Sequence, residues 1–195
     1  ILAALLARAD VLVENFRPGV LEGLGLDEAR LERDFPRLVT VRVSAYGHAG
    51  PWAERRGFDS LVQTATGFNH AEGQAAGVDG PKELPAQMLD HATGYFMAFG
   101  AMMARARQAR DGGSWHVRVS LAQTGRWLWN LGRLEDGLKT ADLPGDAVKP
   151  FVEELPSGFG ALHSVKPSAA LSKTPAFWAR PSMPLGSHPP QWPSR

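Results

Sequence analysis

The longest hydrophobic pattern in the chain lies in PAQMLDHATGYFMAFGAMMARARQAR, residues 85–110. From Ala86 to Met103 it is almost wholly apolar or small, and Asp90, followed directly by His91, is its one acid. Ala92, Phe96, Phe99 and Met103 recur at steps of four, three and four. That spacing puts them on one face of a helix and predicts a long buried helix over 86–108. Pro85 suits its start, and Arg105, Arg107 and Arg110 suit the negative end of its dipole.

Shorter patterns surround this helix. VLVE at 11–14 and LVTVRVS at 38–44 read as buried strands, and WHVRVSL at 115–121 alternates as a third. Residues 1–9 read as the end of a helix. Further helices are expected over 20–24, 27–34 (capped by Asp27), 58–66 and 122–131, the last with Trp127 and Trp129 on an aromatic face. Residues 15–19 and 111–113 read as turns, and the Gly- and Ala-rich stretch 70–81 as a flexible loop. Helix, strand, turn, helix, strand is the rhythm of an α/β domain: three layers around a mainly parallel, Rossmann-like sheet. In such sheets ligands sit beyond the carboxyl ends of the strands. Here those loops are 15–19 and 45–56.

After Gly132 proline and glycine become frequent. The expected organisation is a core over 1–133 and an extended, proline-rich C-terminal arm with short strands over 134–195. That arm is expected to pack on a neighbour through Phe151, Phe159, Trp178 and Trp192.

Composition narrows the function classes. Hydrophobic residues make up 44% and charged residues 21%, with a net charge of +1. No basic block marks a nucleic-acid surface, and no apolar run has the length of a bilayer span. The chain has no cysteine, which excludes disulfides and thiolate chemistry and fits a cytoplasmic protein. Its six histidines show no metal-ligand spacing, so no metal is expected. Nucleotide-binding glycine fingerprints and serine- or zinc-hydrolase motifs are missing as well. The chain opens at Ile1 inside a helix-like run, ILAALLARA, with the wrong flanks for a signal peptide, and reads as a piece of something longer.

Asp90 remains as the candidate for chemistry. It falls in the first turns of the long helix, where the dipole favours a carboxylate, and Gly94 lies one turn on along the same face. A ligand could approach it there without meeting a side chain. A nucleophile and a helix-capping aspartate both fit this pattern.

Four ordered blocks resolve the ambiguity by resemblance: ADVLVENFRPGVLEGLGL, PRLVTVRVSAYGHAGPW, RRGFDSLVQTATG and LPAQMLDHATGYFMAFGAMMARARQARDGG. Together they resemble the class III CoA-transferase family, the group of formyl-CoA and carnitine-CoA transferases and α-methylacyl-CoA racemases. The resemblance implies an acyl-CoA:carboxylate CoA-transferase with coenzyme A or acyl-CoA and carboxylic acids as substrates. It implies no permanently bound cofactor, and two subunits interlocked as a homodimer. Asp90 matches the family's catalytic aspartate, which forms a mixed anhydride and then an aspartyl-CoA thioester. Asn15 and Phe16 match the adenine and pantetheine channel, and Arg56 a phosphate contact. Arg17, Phe58 and Asp59 lie in matching blocks and are expected to belong to the CoA-binding site, Asp59 matching an acidic position beside the active site. Arg17 could equally be a solvated arginine, and Asp59 equally an N-cap for the helix that follows. Phe58 stands where racemases carry a histidine base, and Gly23 where many members carry an arginine that contacts CoA. His91 is expected to be structural. A racemase-type enzyme and a catalytically silent fragment are the alternatives.

Overall fold

The computed structural model describes residues 1–193, which form two compact units, 1–138 and a second from Lys139 on. In the first unit the elements run α1 (Leu2–Leu6), β1 (Val11–Glu14), α2 (Val20–Gly23), α3 (Glu28–Asp34), β2 (Val39–Ser44), α4 (Asp59–Ala65), α5 (Phe68–Ala76), α6 (Met88–Asp111), β3 (Trp115–Ser120) and α7 (Leu121–Asn130). The three strands form a parallel sheet in the order β1-β2-β3. This is the expected mixed α/β domain with a parallel sheet.

Alternation along the strands decides what each face of the sheet meets. Val11, Val39, Val41 and Val117 point to α6 and pack on Met97, Ala101 and Ala104. On the opposite face Leu12 joins Leu6, Leu21, Leu26, Leu31 and Leu38 from α1, α2, α3 and the approach to β2. The remaining positions of that face are polar. Arg42 donates to Glu14 beside it on β1 and, at 2.7 Å, to Glu22 of α2. His116 lies 2.8 Å from Glu32 and 2.6 Å from the Thr40 hydroxyl, and Arg118 pairs with Glu28. Half-buried charges are tolerable only when partnered in this way. A third cluster, with Ala45, Val62, Phe68, Leu89 and Leu121, ties α4, α5, α6 and α7 together at the carboxyl end of the sheet.

The 24-residue helix α6 differs from expectation in which face it buries. Phe99 and Met103 are exposed, and the buried residues are Leu89, Thr93 and Ala104. The reason is proximity. A Cβ on Gly100 would sit 2.6 Å from Val117 Cγ1, so only small residues let the helix lie this close to β3. Phe99, Met102 and Met103 are turned outward. The stretch expected as a loop over 70–81 is also largely helical, as α5. Gly67 and Gly77, with φ of 89° and 66°, bracket that helix in left-handed conformation. Between them Ala71, Gln74, Ala75 and Ala76 favour the helical state. Gly73 fits because a Cβ there would collide with the Gly80 carbonyl. Asp27 caps α3 as expected, accepting from the Arg30 N–H at 2.8 Å.

The second unit contains α8 (Gly145–Val148) and an antiparallel hairpin of β4 (Val152–Ser157) and β5 (Gly160–Val165). Short strands were expected here. Phe151, Phe159 and Trp178 are each at least 60% exposed. Of the expected arm, Ser194 and Arg195 lie outside the described residues. Among the described residues no helix is long and apolar enough to cross a membrane, and no group of three acidic, histidine or cysteine side chains could hold a metal ion.

Candidate functional site

A cleft of about 480 Å³ opens at the carboxyl end of the sheet. Its walls come from three loops and one helix. The turn after β1 supplies Asn15, Phe16 and Arg17, and the end of β2 supplies Ser44 and Ala45. The segment before α4 supplies Arg55, Arg56 and Phe58, and the first turns of α6 supply Asp90, Thr93, Gly94 and Met97. Six of the seven expected site residues, Asn15, Phe16, Arg17, Arg56, Phe58 and Asp90, therefore border one space although they are scattered over 76 positions of sequence. A Cβ on Gly94 would meet nothing within 4 Å. Packing does not demand glycine there, and its bare backbone leaves the approach to Asp90 open.

Asp59, the seventh, lies beneath the wall, 1% exposed. It is the first residue of α4, whose N-cap is Phe58, so its carboxylate does not cap its own helix in the ordinary way. One oxygen accepts the Asp90 N–H at 2.7 Å and the other accepts from the Gln63 amide. Gln63, also buried, accepts from the Leu84 N–H at 3.1 Å and donates to the Ala86 carbonyl at 3.3 Å. Asp59 and Gln63 are four residues apart, hence on one face of α4. Together they brace the chain leading into α6 and fix the turn that carries Asp90. On the other side of α6, Thr93 donates to Thr124 of α7 at 2.7 Å, so the turn is held from two directions.

Asp90 itself is exposed to the cleft. Its carboxyl is pushed above the usual aspartate range, first by partial burial and then by the charge of Asp59; His91 works in the opposite direction. His91 is exposed and acts on Asp90 through charge. Arg17, Arg55 and Arg56 are exposed and have no carboxylate partner among the described residues. Their positive charge is available to an anion. The arrangement thus joins a carboxylate of raised proton affinity to a row of unpaired guanidinium groups, across a space of small-molecule size.

Sequence reading did not single out Thr93, Ser44 or the brace through Gln63. Thr93 could have been found from its i+3 spacing to Asp90, and Gln63 from its i+4 spacing to Asp59. Ser44 had no local signal.

The family model described as CoA-transferase family III matches residues 1–185. An acyl-CoA transferase of Fusarium pseudograminearum is 36% identical over 120 residues, covering 62% of this chain and 26% of that protein. The acetyl-CoA:oxalate CoA-transferase of Acetobacter aceti is 36% identical over 116 residues, 58% of this chain and 29% of the other. Among solved structures, Rv3272 from Mycobacterium tuberculosis superposes with a TM-score of 0.60 at 31% identity, covering 67% of this chain and 36% of that one. A CAIB/BAIF family protein from Brucella suis gives 0.58 at 26% identity, with 82% and 43% covered. The matched part of this chain thus corresponds to about a quarter of the length of these curated relatives.

Proposed function

Because the chain belongs to CoA-transferase family III, we propose that it carries the nucleophile-bearing part of an acyl-CoA:carboxylate CoA-transferase, with Asp90 as the acyl acceptor. One observation carries this reading. The Asp90 carboxylate opens onto the same cleft as the Asn15–Phe16–Arg17 turn and the Arg55–Arg56 pair. A carboxylate nucleophile and a binding wall for a phosphate-bearing thioester thereby share one space. Arg17 and Arg56 would hold phosphate, for which a planar fixed charge is suited. Asn15, Phe16 and Phe58 would line the path of the pantetheine arm.

In this chemistry an Asp90 oxygen attacks the thioester carbonyl, the C–S bond breaks, and CoA leaves as thiolate. The thiolate then attacks the Asp90 carbonyl of the mixed anhydride and expels the donor as a carboxylate, leaving an aspartyl-CoA thioester. An acceptor carboxylate reverses both steps and restores Asp90. Covalent catalysis of this kind divides one difficult exchange into easier ones. The anhydride must be kept from water. Asp90 is exposed in this chain, so the proposal assigns water exclusion to a second subunit or to further chain, in keeping with a homodimer. Exposed Phe99, Met102 and Met103, farther along α6 and outside the cleft lining, leave apolar surface that a second subunit could meet. A racemase reading lacks a base, since Phe58 occupies the position before Asp59.

Chemical trapping tests the proposal. The intact protein is incubated with acetyl-CoA, quenched with hydroxylamine or borohydride and digested. A mass change on the peptide spanning residues 88–94 is expected. An unlabelled peptide together with exchange of the substrate's α-hydrogen for solvent deuterium would instead identify a racemase.

A further inference from the structure

The cleft that holds Asp90 is chemically divided. Its cations, Arg17, Arg55 and Arg56, all come from the loops 15–19 and 45–56. The sheet, α6 and α7 contribute none: their share of the lining beyond Asp90 includes Gly94, Met97, Val13, Val43 and Leu121. Steps of four and three keep Asp90, Gly94 and Met97 on one face of the helix. Gly94 leaves room along that face, since a Cβ there would meet nothing within 4 Å. The sheet beside it is open as well. Val13 and Val41 are partners in register and share a face, yet Val41 is 0% exposed and Val13 is 59% exposed. The helix α6 packs on β2 and β3 and leaves this end of β1 uncovered. Val13 therefore offers its apolar side chain to the cleft and not to the core.

A trough lined in this way suits a hydrocarbon chain. Each methylene buried in it gains about fourfold in binding. A carboxylate carried into it would find no cation to pair with and would lose its water. It would also lie near Asp90, whose own ionised form is already disfavoured by burial and by the charge of Asp59. We infer that the site selects an uncharged, apolar acyl group and the matching monocarboxylic acid, with the acyl tail lying along α6 between Met97 and Val13, and that it discriminates against half-thioesters of dicarboxylic acids. The inference rests on the CoA-transferase reading above, in which the arginines are occupied by the phosphates of CoA. Two observations carry it: all three cations of the cleft lie on its loops, and an apolar strand residue is left bare in the same space as the nucleophile.

Isotope exchange between an acyl-CoA and its own labelled free acid tests this on the intact protein, whatever the natural acceptor. The critical pair is 4-methylpentanoyl-CoA and succinyl-CoA, because an isopropyl group has nearly the shape of a carboxylate and no charge. Exchange of the first is expected to exceed that of the second by about tenfold or more in kcat/KM. Between acetyl-CoA and hexanoyl-CoA the rate should rise by up to about fourfold per methylene. Val13→Arg sets a cation in the trough and should shift the ratio toward succinyl-CoA by about tenfold. An unchanged melting temperature would establish that its fold survives. Should that variant melt early, Val13→Ala decides by lowering the ratio of hexanoyl to acetyl exchange. If succinyl exchange equals or exceeds 4-methylpentanoyl exchange, and the peptide 88–94 is labelled, the apolar tail site is overturned while the transferase reading stands. If the apolar acid is preferred but neither Val13 variant moves its ratio, the tail lies elsewhere and the trough is overturned. If none of these thioesters exchanges or labels the protein, the transferase reading falls and the inference falls with it.

Discussion

The buried carboxylate of Asp59 accepts the backbone N–H of Asp90 at 2.7 Å, while the side chain of Asp90 faces the cleft. Two acids therefore meet at one helix N-terminus in different roles. The inner one satisfies a donor that α6 cannot satisfy itself. The outer one is left with a raised proton affinity, because burial and the inner charge both disfavour its ionised form.

Asp59→Asn should separate these effects. The amide keeps an oxygen for the Asp90 N–H but presents a donor to the Gln63 amide, a buried mismatch that costs about 1–3 kcal/mol. Loss of the charge should bring the Asp90 carboxyl back toward its ordinary range. The acid limb of the pH profile of kcat/KM, or a carboxyl NMR titration of Asp90, should then move to lower pH. A purely structural role for Asp59 would reduce amplitude and leave the limb where it was.

Much of this site was legible in sequence, and the reasons differ by residue. Asp90 stood out because an acid within a long apolar run is costly unless it is used or capped. The loops 15–19 and 45–56 follow from their place after strands, where a parallel sheet puts its ligands; Asn15, Phe16, Arg17 and Arg56 within them are singled out by the family resemblance. The packing of α6 was not legible, because periodicity reports an apolar face and not which of two faces is covered. Phe99 and Met103 look like core in sequence; Gly100 against Val117 shows that the close approach runs along the small residues instead. The helix α5 was hidden because Gly73, Gly77 and Gly80 read as a loop, when Gly77 ends the helix and Gly73 packs it.

Gly100→Ala sets two terms against each other. Alanine favours an isolated helix over glycine by about 1 kcal/mol. Here its Cβ would lie 2.6 Å from Val117 Cγ1, on a stiff β-branched side chain. Overpacking of this kind costs about 1–3 kcal/mol, so net destabilisation is expected. A denaturation midpoint equal to or above that of the unmodified protein would show that α6 can move off β3.

Arg42→Ala should cost about 3 kcal/mol, because it leaves Glu14, only 7% exposed, as a buried charge without its partner. Replacing Glu14 and Arg42 together by leucine should recover most of that loss. The pH dependence follows from Glu22, whose carboxyl Arg42 holds below the usual range by hydrogen bonding. A lowered acid stabilises the fold above its unfolded-state value, and the contribution is lost as pH falls through the folded value. Thermal melts from pH 7 downward should therefore show a flatter acid decline in the Arg42 variants than in the unmodified protein.

Asp90→Asn bears on the function directly. The amide is nearly isosteric but a far weaker nucleophile, so transfer should fall to background while CoA still binds through the arginine wall. The fold should not suffer. The raised proton affinity of Asp90 means that its ionised form is disfavoured in the folded state; its stabilising contribution is present at low pH and is lost as pH rises through the raised value. An uncharged amide at pH 7 should accordingly melt at or slightly above the unmodified protein, with the gap closing on acidification. Asp90→Glu keeps the charge and adds one methylene, moving the attacking oxygen by roughly an ångström, and misplacement on that scale costs about a hundredfold in rate. The expected signature is a dead but stable Asn variant, a Glu variant crippled in kcat, and CoA affinity unchanged in both. If the Asn variant still turns over, Asp90 serves only as part of the helix start, and the nucleophile lies elsewhere.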